Sequence, residues 1–309
     1  MLLDVLLLII GFVLLTRGAD YFVDGSSALA GKLRIPPIII GLTVVAMGTS
    51  APEAFISIIS AIHNSNSIAI GNVIGSNIAN IFLILGITSI IYPLTVQKNT
   101  LTYEMPFVAF ITILLCWMGM KFGMISRGCA IVLLGLFIMF LMYLYIMSKK
   151  NKDQDIEIKQ ISGLKISLYV FGGLIALVLG SNLTVDSAVN IARYVGVSER
   201  VIGLTIIAFG TSVPELVTCV IAALKKQSDI AIGNIIGSNI FNILFVLGIA
   251  GVILPIPFNS AFMFDGFLAL MAIIMLMLFT CKNRRLGRFG GIIFVIIYAL
   301  YIAFLVIGK

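Results

Sequence analysis

Charged and metal-binding side chains are scarce in this sequence of 309 residues. Only 11% of the residues are charged, 61% are hydrophobic, and His63 is the only histidine. Most histidine-based catalysis and histidine-rich metal sites are therefore excluded. A water-soluble fold is excluded too, because its core could not hide so much apolar surface. The four cysteines lack the paired spacing of a metal or redox site and are expected to be packing residues. They are Cys116, Cys129, Cys219 and Cys281.

Long apolar runs fill the chain instead. A helix that crosses a bilayer needs about 20 mostly apolar residues. Because lipid cannot satisfy backbone amides, such runs predict helices, and the alternating pattern of a transmembrane barrel is absent. The first run follows no basic residue and is expected to be a helix of the mature protein rather than a secretory signal. The ten predicted spans are 2–24, 36–62, 68–92, 103–120, 128–147, 164–186, 200–224, 230–254, 262–281 and 289–307. The predicted fold class is an all-α membrane protein with ten transmembrane helices.

The net charge of +7 is interpreted as a topology signal rather than as a sign of an anionic partner such as nucleic acid. Fourteen of the twenty lysine and arginine residues fall in the odd-numbered predicted loops. By the positive-inside rule these loops are cytoplasmic, and both termini are predicted to be extracellular. We expect a multi-pass protein of the cell membrane, with its oligomeric state left open.

An internal repeat appears at an offset of 162 residues. Residues 41–53 (GLTVVAMGTSAPE) match 203–215 (GLTIIAFGTSVPE) at nine of thirteen positions, and 68–86 match 230–248 at fourteen of nineteen. The matches fall on Gly, Thr, Ser, Pro, Glu and Asn, which two unrelated apolar helices would not share. Each copy holds five spans, so the second copy must enter the membrane from the opposite side.

The repeat therefore predicts two inverted five-helix halves. The halves are residues 1–147 and 164–309, and a charged cytoplasmic linker at 148–163 joins them. Inverted repeats with polar motifs near the midplane are the architecture of many secondary transporters.

Glu53 and Glu215 occupy equivalent positions near the middles of the second and seventh spans. A charged side chain there costs about 2.5–3.5 kcal/mol on insertion scales, so each carboxylate should have a partner. The central parts of spans two, three, seven and eight contain no lysine or arginine. A bound cation is therefore the natural counter-charge.

The residues around each glutamate predict a broken helix. Pro52 and Pro214 remove a backbone donor, which frees carbonyls just before the break to face an ion. The Ser-x-Pro-Glu sequence also fits a capping box, with Ser50 as the N-cap and Glu53 three residues later. The two interpretations are compatible.

A second repeated motif, GNxxGSNxxN, adds hydroxyl and amide oxygens. Oxygen ligands select hard cations, and a flexible set suits calcium or several sodium ions better than magnesium. The glycines of this motif can allow close helix packing, and Asn72, Asn77, Asn234 and Asn239 can form interhelical hydrogen bonds or contact an ion. The candidate ligands are Ala46, Thr49, Ser50, Glu53, Ser76, Asn80, Ala208, Thr211, Ser212, Glu215, Ser238 and Asn242.

The two motifs resemble the α-repeats of the sodium/calcium exchanger family, within the calcium/cation antiporter superfamily, over almost the whole chain. The resemblance implies ten helices, four ion subsites, and alternating access in which helices one and six slide over the other eight. It implies that Glu53 and Glu215 serve both ions and that Thr49 and Thr211 complete the calcium position. The residues implied for the outer sodium positions are Ala46, Ser76, Ala208 and Ser238, and Asn80 and Asn242 would border the middle one.

The sequence departs from some relatives of this family at Asn242, where those relatives carry an acid. An amide in both copies leaves two formal negative charges, which favours a potassium-independent exchanger. One calcium ion would neutralise this site, whereas three sodium ions, the usual number in the family, would leave it at +1. The transport cycle is then predicted to be electrogenic.

Other function classes remain as alternatives. In a proton/calcium antiporter, Glu53 or Glu215 would alternately carry a proton. A passive cation channel is disfavoured, because glutamates between inverted repeats suit occlusion better than conduction. An intramembrane enzyme is not expected, since the predicted spans contain no nucleophile–base pair. No cofactor is expected beyond the transported calcium and sodium ions.

Overall fold

A computed structural model describes residues 2–63, 66–150, 162–196 and 210–307, and these residues are almost entirely helical. The helices are α1 Leu2–Leu33, α2 Pro37–Thr49, α3 Ala51–Ile62, α4 at 66–91, α5 Thr100–Phe122, α6 Arg127–Lys150, α7 Gly163–Tyr194, α8 Val213–Leu224, α9 Ser228–Ile253, α10 Ser260–Cys281 and α11 Arg288–Ile307.

Within the described residues, eight helices are long and apolar enough to cross a membrane. The pair α2 and α3, bent by 50° at Ser50, would make a ninth span. Helix α8 is a shorter apolar helix, and residues 200–209 of its predicted span lie outside the described residues. Most of the linker, residues 151–161, lies outside them as well. The prediction of a multi-pass helical protein is confirmed, and a tenth span stays a prediction.

Two predicted helix ends are wrong. Helices α1 and α7 continue past the predicted ends at 24 and 186, and each is 32 residues long. Charged residues such as Asp24 end an apolar run but do not end a helix. Helix α1 stops only where Arg34 adopts a left-handed φ of 53°, shortly before Pro36. At 1.5 Å per residue each helix is about 48 Å long, which exceeds the roughly 30 Å hydrocarbon core.

Helices α4 and α9 form the centre of the bundle, whereas α1 and α7 lie at its side. In their most apolar stretches 72% of α4 and 83% of α9 is buried, against 22% of α1 and 28% of α7. Both central helices contain a π-helical segment that begins at the end of the second repeated motif, at Ala79–Leu85 and Asn242–Val246. Such wide turns are frequent at functional sites.

Helices α1 and α7 pack against each other along their length through glycines. A Cβ added to Gly18 would lie 2.7 Å from the Leu177 nitrogen, and one added to Gly173 would lie 2.6 Å from the Phe22 nitrogen. Only glycine permits this approach of the two backbones. The pair is antiparallel, because Gly11 faces Thr184 at one end and Gly25 faces Tyr169 at the other.

Four two-residue strands tie loops together in antiparallel pairs. They are β1 Leu94–Thr95, β2 Met124–Ile125, β3 Ile256–Pro257 and β4 Arg285–Leu286. Strand β1 pairs with β4, and β2 pairs with β3. The first pair joins two odd-numbered predicted loops and the second joins two even-numbered ones. Each strand pair thus joins loops that alternating spans place on the same side of the membrane. That the odd-numbered loops are cytoplasmic stays a prediction.

Candidate cation site

The predicted helix breaks lie directly before the two glutamates. Ser50, with φ −83° and ψ 9°, separates α2 from α3, and Ser212, with φ −90° and ψ 4°, precedes α8. The proline that follows each serine by two residues has no N–H to donate to the carbonyl four residues earlier. In the second half that carbonyl belongs to Gly210, and it accepts a hydrogen bond of 3.1 Å from Ser181 Oγ of α7.

The serine at each break bonds to the glutamate of the other half. Ser50 Oγ donates to Glu215 Oε1 at 2.9 Å, and Ser212 Oγ donates to Glu53 Oε1 at 3.4 Å. Both serines occupy the N-cap position, but neither side chain forms a capping hydrogen bond. The capping-box interpretation is therefore correct about position and wrong about hydrogen bonding. The serine hydroxyls instead hold the two carboxylates in one cluster.

Both carboxylates are buried and only half satisfied. Glu53 and Glu215 are each 1% exposed, and Oε2 of each has no hydrogen-bond partner among the described residues. Each carboxylate lies in the first turn of its helix, where the helix dipole favours a negative charge. A buried oxygen of this kind is costly unless a cation or another donor reaches it.

Four asparagines form a second layer beside the carboxylates, and their bonds connect α4 to α9. Asn80 Nδ2 donates to Asn239 Oδ1 at 2.9 Å, and Asn242 Nδ2 donates to Asn77 Oδ1 at 3.1 Å. The two bonds are equivalent, because the offset of 162 residues relates Asn80 to Asn242 and Asn77 to Asn239. In the part of the chain that the structure describes, the amide oxygens of Asn80 and Asn242 are buried without partners. Two carboxylate and two amide oxygens are thus left for a ligand.

The remaining asparagines of the motif form the interhelical bonds predicted for them. Asn72 Nδ2 donates to Glu53 O at 3.2 Å and to Ser57 Oγ at 3.0 Å. Asn234 Oδ1 accepts from Thr49 Oγ1 at 3.0 Å. These bonds attach α4 to α3, the helix that carries Glu53, and α9 to α2, the helix that precedes the break at Ser50.

The other candidate ligands are distributed unevenly. Ser238 Oγ lies 2.8 Å from Ser50 Oγ and 3.5 Å from Ala46 O, while Ser76 is buried at the equivalent position in α4. Ala46 O also accepts the helical hydrogen bond from Ser50 N at 3.0 Å, so the break does not free this carbonyl. Thr211 is half-buried, and Ala208 lies outside the described residues.

Positive charge is absent around the glutamates in the part of the chain that the structure describes. There, neither glutamate takes part in an ion pair, and no group of three or more His, Cys, Asp or Glu side chains comes together. The site is thus a pair of acids among neutral oxygens, which suits hard cations.

Sequence reasoning missed two further carboxyl groups inside helices. Glu104 in α5 accepts a short hydrogen bond from Tyr143 OH in α6, and Asp265 in α10 accepts one of 3.0 Å from Tyr301 OH in α11. These tyrosine partners are distant in sequence and lie outside the repeated motifs. Neither carboxyl group contacts Glu53 or Glu215.

Comparison with known proteins agrees with this geometry. The family profile described as sodium/calcium exchanger protein matches residues 3–146 and 165–307. The chain belongs to the sodium/calcium exchanger family. Its relatives include the putative antiporter CaxA of Alkalimonas amylolytica, which is 38% identical over 97% of this chain and 98% of its own. The sodium/calcium exchanger MaX1 of Methanosarcina acetivorans is 31% identical over 98% of this chain and 97% of its own.

A solved member of the family has the same fold. The structure of the sodium-calcium exchanger NCX_Mj superimposes with a TM-score of 0.86 at 34% identity, covering 98% of this chain and 99% of that one. The resemblance inferred from the two motifs is therefore confirmed, and so is the membership of a family of antiporters.

Proposed function

We propose that the protein is a secondary active antiporter that exchanges sodium for calcium by alternating access. The observation that carries this proposal is the buried cluster of Glu53 and Glu215, in which each carboxylate is held by the serine of the other half. Its unpartnered oxygens would ligate the transported cations. Thr49, Thr211, Ser76, Ser238 and the Asn80 and Asn242 amides would complete the positions.

Ten spans in two inverted halves are part of this proposal. Its support is that the hydrogen bonds between the halves come in pairs related by the repeat offset, at the serine–glutamate level and again at the asparagine level. A site built by two inverted copies can present equivalent ligands to either face of the membrane.

The charge of the site supports an electrogenic cycle. Two carboxylates are neutralised by one calcium ion, whereas three sodium ions would give a complex of charge +1. Moving unequal charge in the two half-cycles makes exchange depend on membrane voltage, at about 2.3 kcal/mol per elementary charge per 100 mV.

The decisive experiment is calcium uptake into proteoliposomes loaded in turn with sodium, potassium or protons. We expect an outward sodium gradient to drive uptake at fixed pH, and an inside-positive voltage to change its rate. Uptake driven by a pH gradient but not by sodium would instead establish the proton/calcium antiporter. Calcium flux that ignores every counter-ion gradient would establish a channel.

Removing one serine hydroxyl should weaken calcium binding unequally in the two halves. Ser50→Ala loses a 2.9 Å bond to a carboxylate, and such charge-assisted bonds contribute about 1.5–3 kcal/mol. We expect calcium affinity to fall about tenfold or more. Ser212→Ala loses a longer bond of 3.4 Å and should have a smaller effect.

Isothermal titration of calcium into the purified variants measures this difference. Ser148→Ala is the control, because that hydroxyl donates to Tyr145 O within α6 and does not belong to the site. Equal affinities for Ser50→Ala and the control would remove the serine from the site.

A further inference from the structure

Lys225, at the end of α8, holds two carboxylates of α1. Its Nζ lies 2.6 Å from Asp20 Oδ1 and 2.9 Å from Asp24 Oδ1, and it also donates to Asp20 O at 2.9 Å. The three side chains are only partly exposed, by 24% to 38%. This triad connects the peripheral pair of α1 and α7 to a helix that carries a site glutamate.

The repeat offset places a matching set at the opposite end of the antiparallel pair. His63 ends α3 as Lys225 ends α8, and Asn182 and Asp186 of α7 correspond to Asp20 and Asp24. In the described residues His63 forms no ion pair with Asp186. We name the two membrane faces the Lys225 face, predicted to be cytoplasmic, and the His63 face.

The His63 face, which lacks the ion pairs over the described ranges, is more accessible to solvent than the Lys225 face, which has them. On the His63 face a cavity of about 170 Å³ is lined by Pro52, Ile56, Asn182, Asp186 and Thr211, among others, so it reaches the turn that carries Glu53. On the Lys225 face the equivalent residues Pro214, Thr218 and Thr49 are buried, while Asp20 and Asp24 are partly exposed. Ile56 is 36% exposed, whereas its equivalent Thr218 is 0% exposed.

Other equivalent pairs repeat this asymmetry. Thr211 and Val185 are half-buried, but Thr49 and Val23 are fully buried. The structure is therefore open towards the His63 face and closed at the Lys225 face. The closed face is the one where lysine bridges α1 to α8.

We propose that Lys225, Asp20 and Asp24 form an ion-pair gate that holds the Lys225 face closed, and that His63 and Asp186 are its weaker counterpart on the other face. The proposal rests on the alternating access proposed above. Opening the Lys225 face separates α1 from α8 and so breaks the triad, which releases two carboxylates towards incoming cations. The ion pairs on the Lys225 face, which have no counterpart between His63 and Asp186 in the described structure, bias the protein towards the state open at the His63 face.

The gate can be tested by cysteine labelling without any ion flux. Thr218→Cys reports on the Lys225 face and Ile56→Cys on the His63 face, in a background whose four native cysteines are replaced by serine. The rates of maleimide modification of the purified protein are compared with and without Lys225→Met. We expect labelling at 218 to rise and labelling at 56 to fall, each by about two- to tenfold, as for the loss of partly exposed ion pairs.

Matched variants distinguish opening of one face from a general loosening of the helix packing. Lys226→Met removes the same charge one residue later, where the side chain is exposed, and should leave both rates unchanged. Lys225→Arg should preserve the gate, whereas His63→Lys should close its face and lower labelling at 56. If Lys225→Met raises both rates or neither, the gate is refuted. Because labelling needs no sodium or calcium movement, a failure of the proposed exchange would be seen separately in the uptake assay.

Discussion

Sodium-driven calcium uptake should be lost when Glu53 or Glu215 is replaced by glutamine. The substitution keeps the shape of the side chain and removes one of the two negative charges available to calcium. Deleting one partner of a buried charge pair costs about 3–5 kcal/mol. At 1.4 kcal/mol per factor of ten, calcium affinity should drop at least about 100-fold. Uptake of radioactive calcium into sodium-loaded proteoliposomes measures the loss.

Glu104→Gln is the matched control for this experiment. Glu104 is also buried inside a membrane helix, but it bonds to Tyr143 rather than to a residue of the serine–glutamate cluster. This variant should transport calcium, and all three variants should remain folded by size-exclusion chromatography. Normal uptake by Glu53→Gln or Glu215→Gln would exclude the carboxylates from the transport mechanism.

A leucine at position 173 should block transport by separating α1 from α7. A Cβ at Gly173 would already lie 2.6 Å from the Phe22 nitrogen and 2.8 Å from Gly18 O, so the two backbones must move apart. Under the proposed mechanism these helices move as a pair. We therefore expect Gly173→Leu to lower calcium uptake at least about tenfold and to lower the melting temperature, as overpacking costs about 1–3 kcal/mol or more.

The neighbouring Gly172 provides a control, because a side chain added there would point away from α1. A Cβ at Gly172 meets no atom within 4 Å, and the residue is exposed. Gly172→Leu makes the same change of residue in the same helix and should leave uptake and melting temperature unaltered. If both leucine variants transport equally well, close contact between α1 and α7 is not needed for exchange.

Sequence periodicity and spacing predicted much of the fold because lipid restricts the choices of the backbone. Apolar runs of about 20 residues must be helices in a bilayer, and the predicted break at the serine and proline before Glu53 is present. Helix ends were less predictable. Charge ends an apolar run but not a helix, so α1 and α7 extend beyond the predicted limits.

The repeated motifs likewise identified the polar residues of the candidate site, because their chemistry is unusual at membrane depth. Most of their partners could not be predicted, since the serine–glutamate and asparagine–asparagine bonds between the halves join residues 159 or 165 positions apart. Ser50 has the local sequence of a helix cap, yet its hydroxyl bonds to Glu215. Residue spacing within one helix could not distinguish a capping hydrogen bond from a bond to the carboxylate of the other half.

By itself the sequence determined a membrane-embedded helical chain with a duplicated, acid-containing motif, because composition and repetition are properties of the chain alone. Only the tertiary structure decided that each serine holds the opposite carboxylate and that Lys225 bridges α8 to Asp20 and Asp24 of α1. Two copies of one motif carry the same local information. The difference between their environments arises from how the helices are packed, and it is therefore visible only in three dimensions.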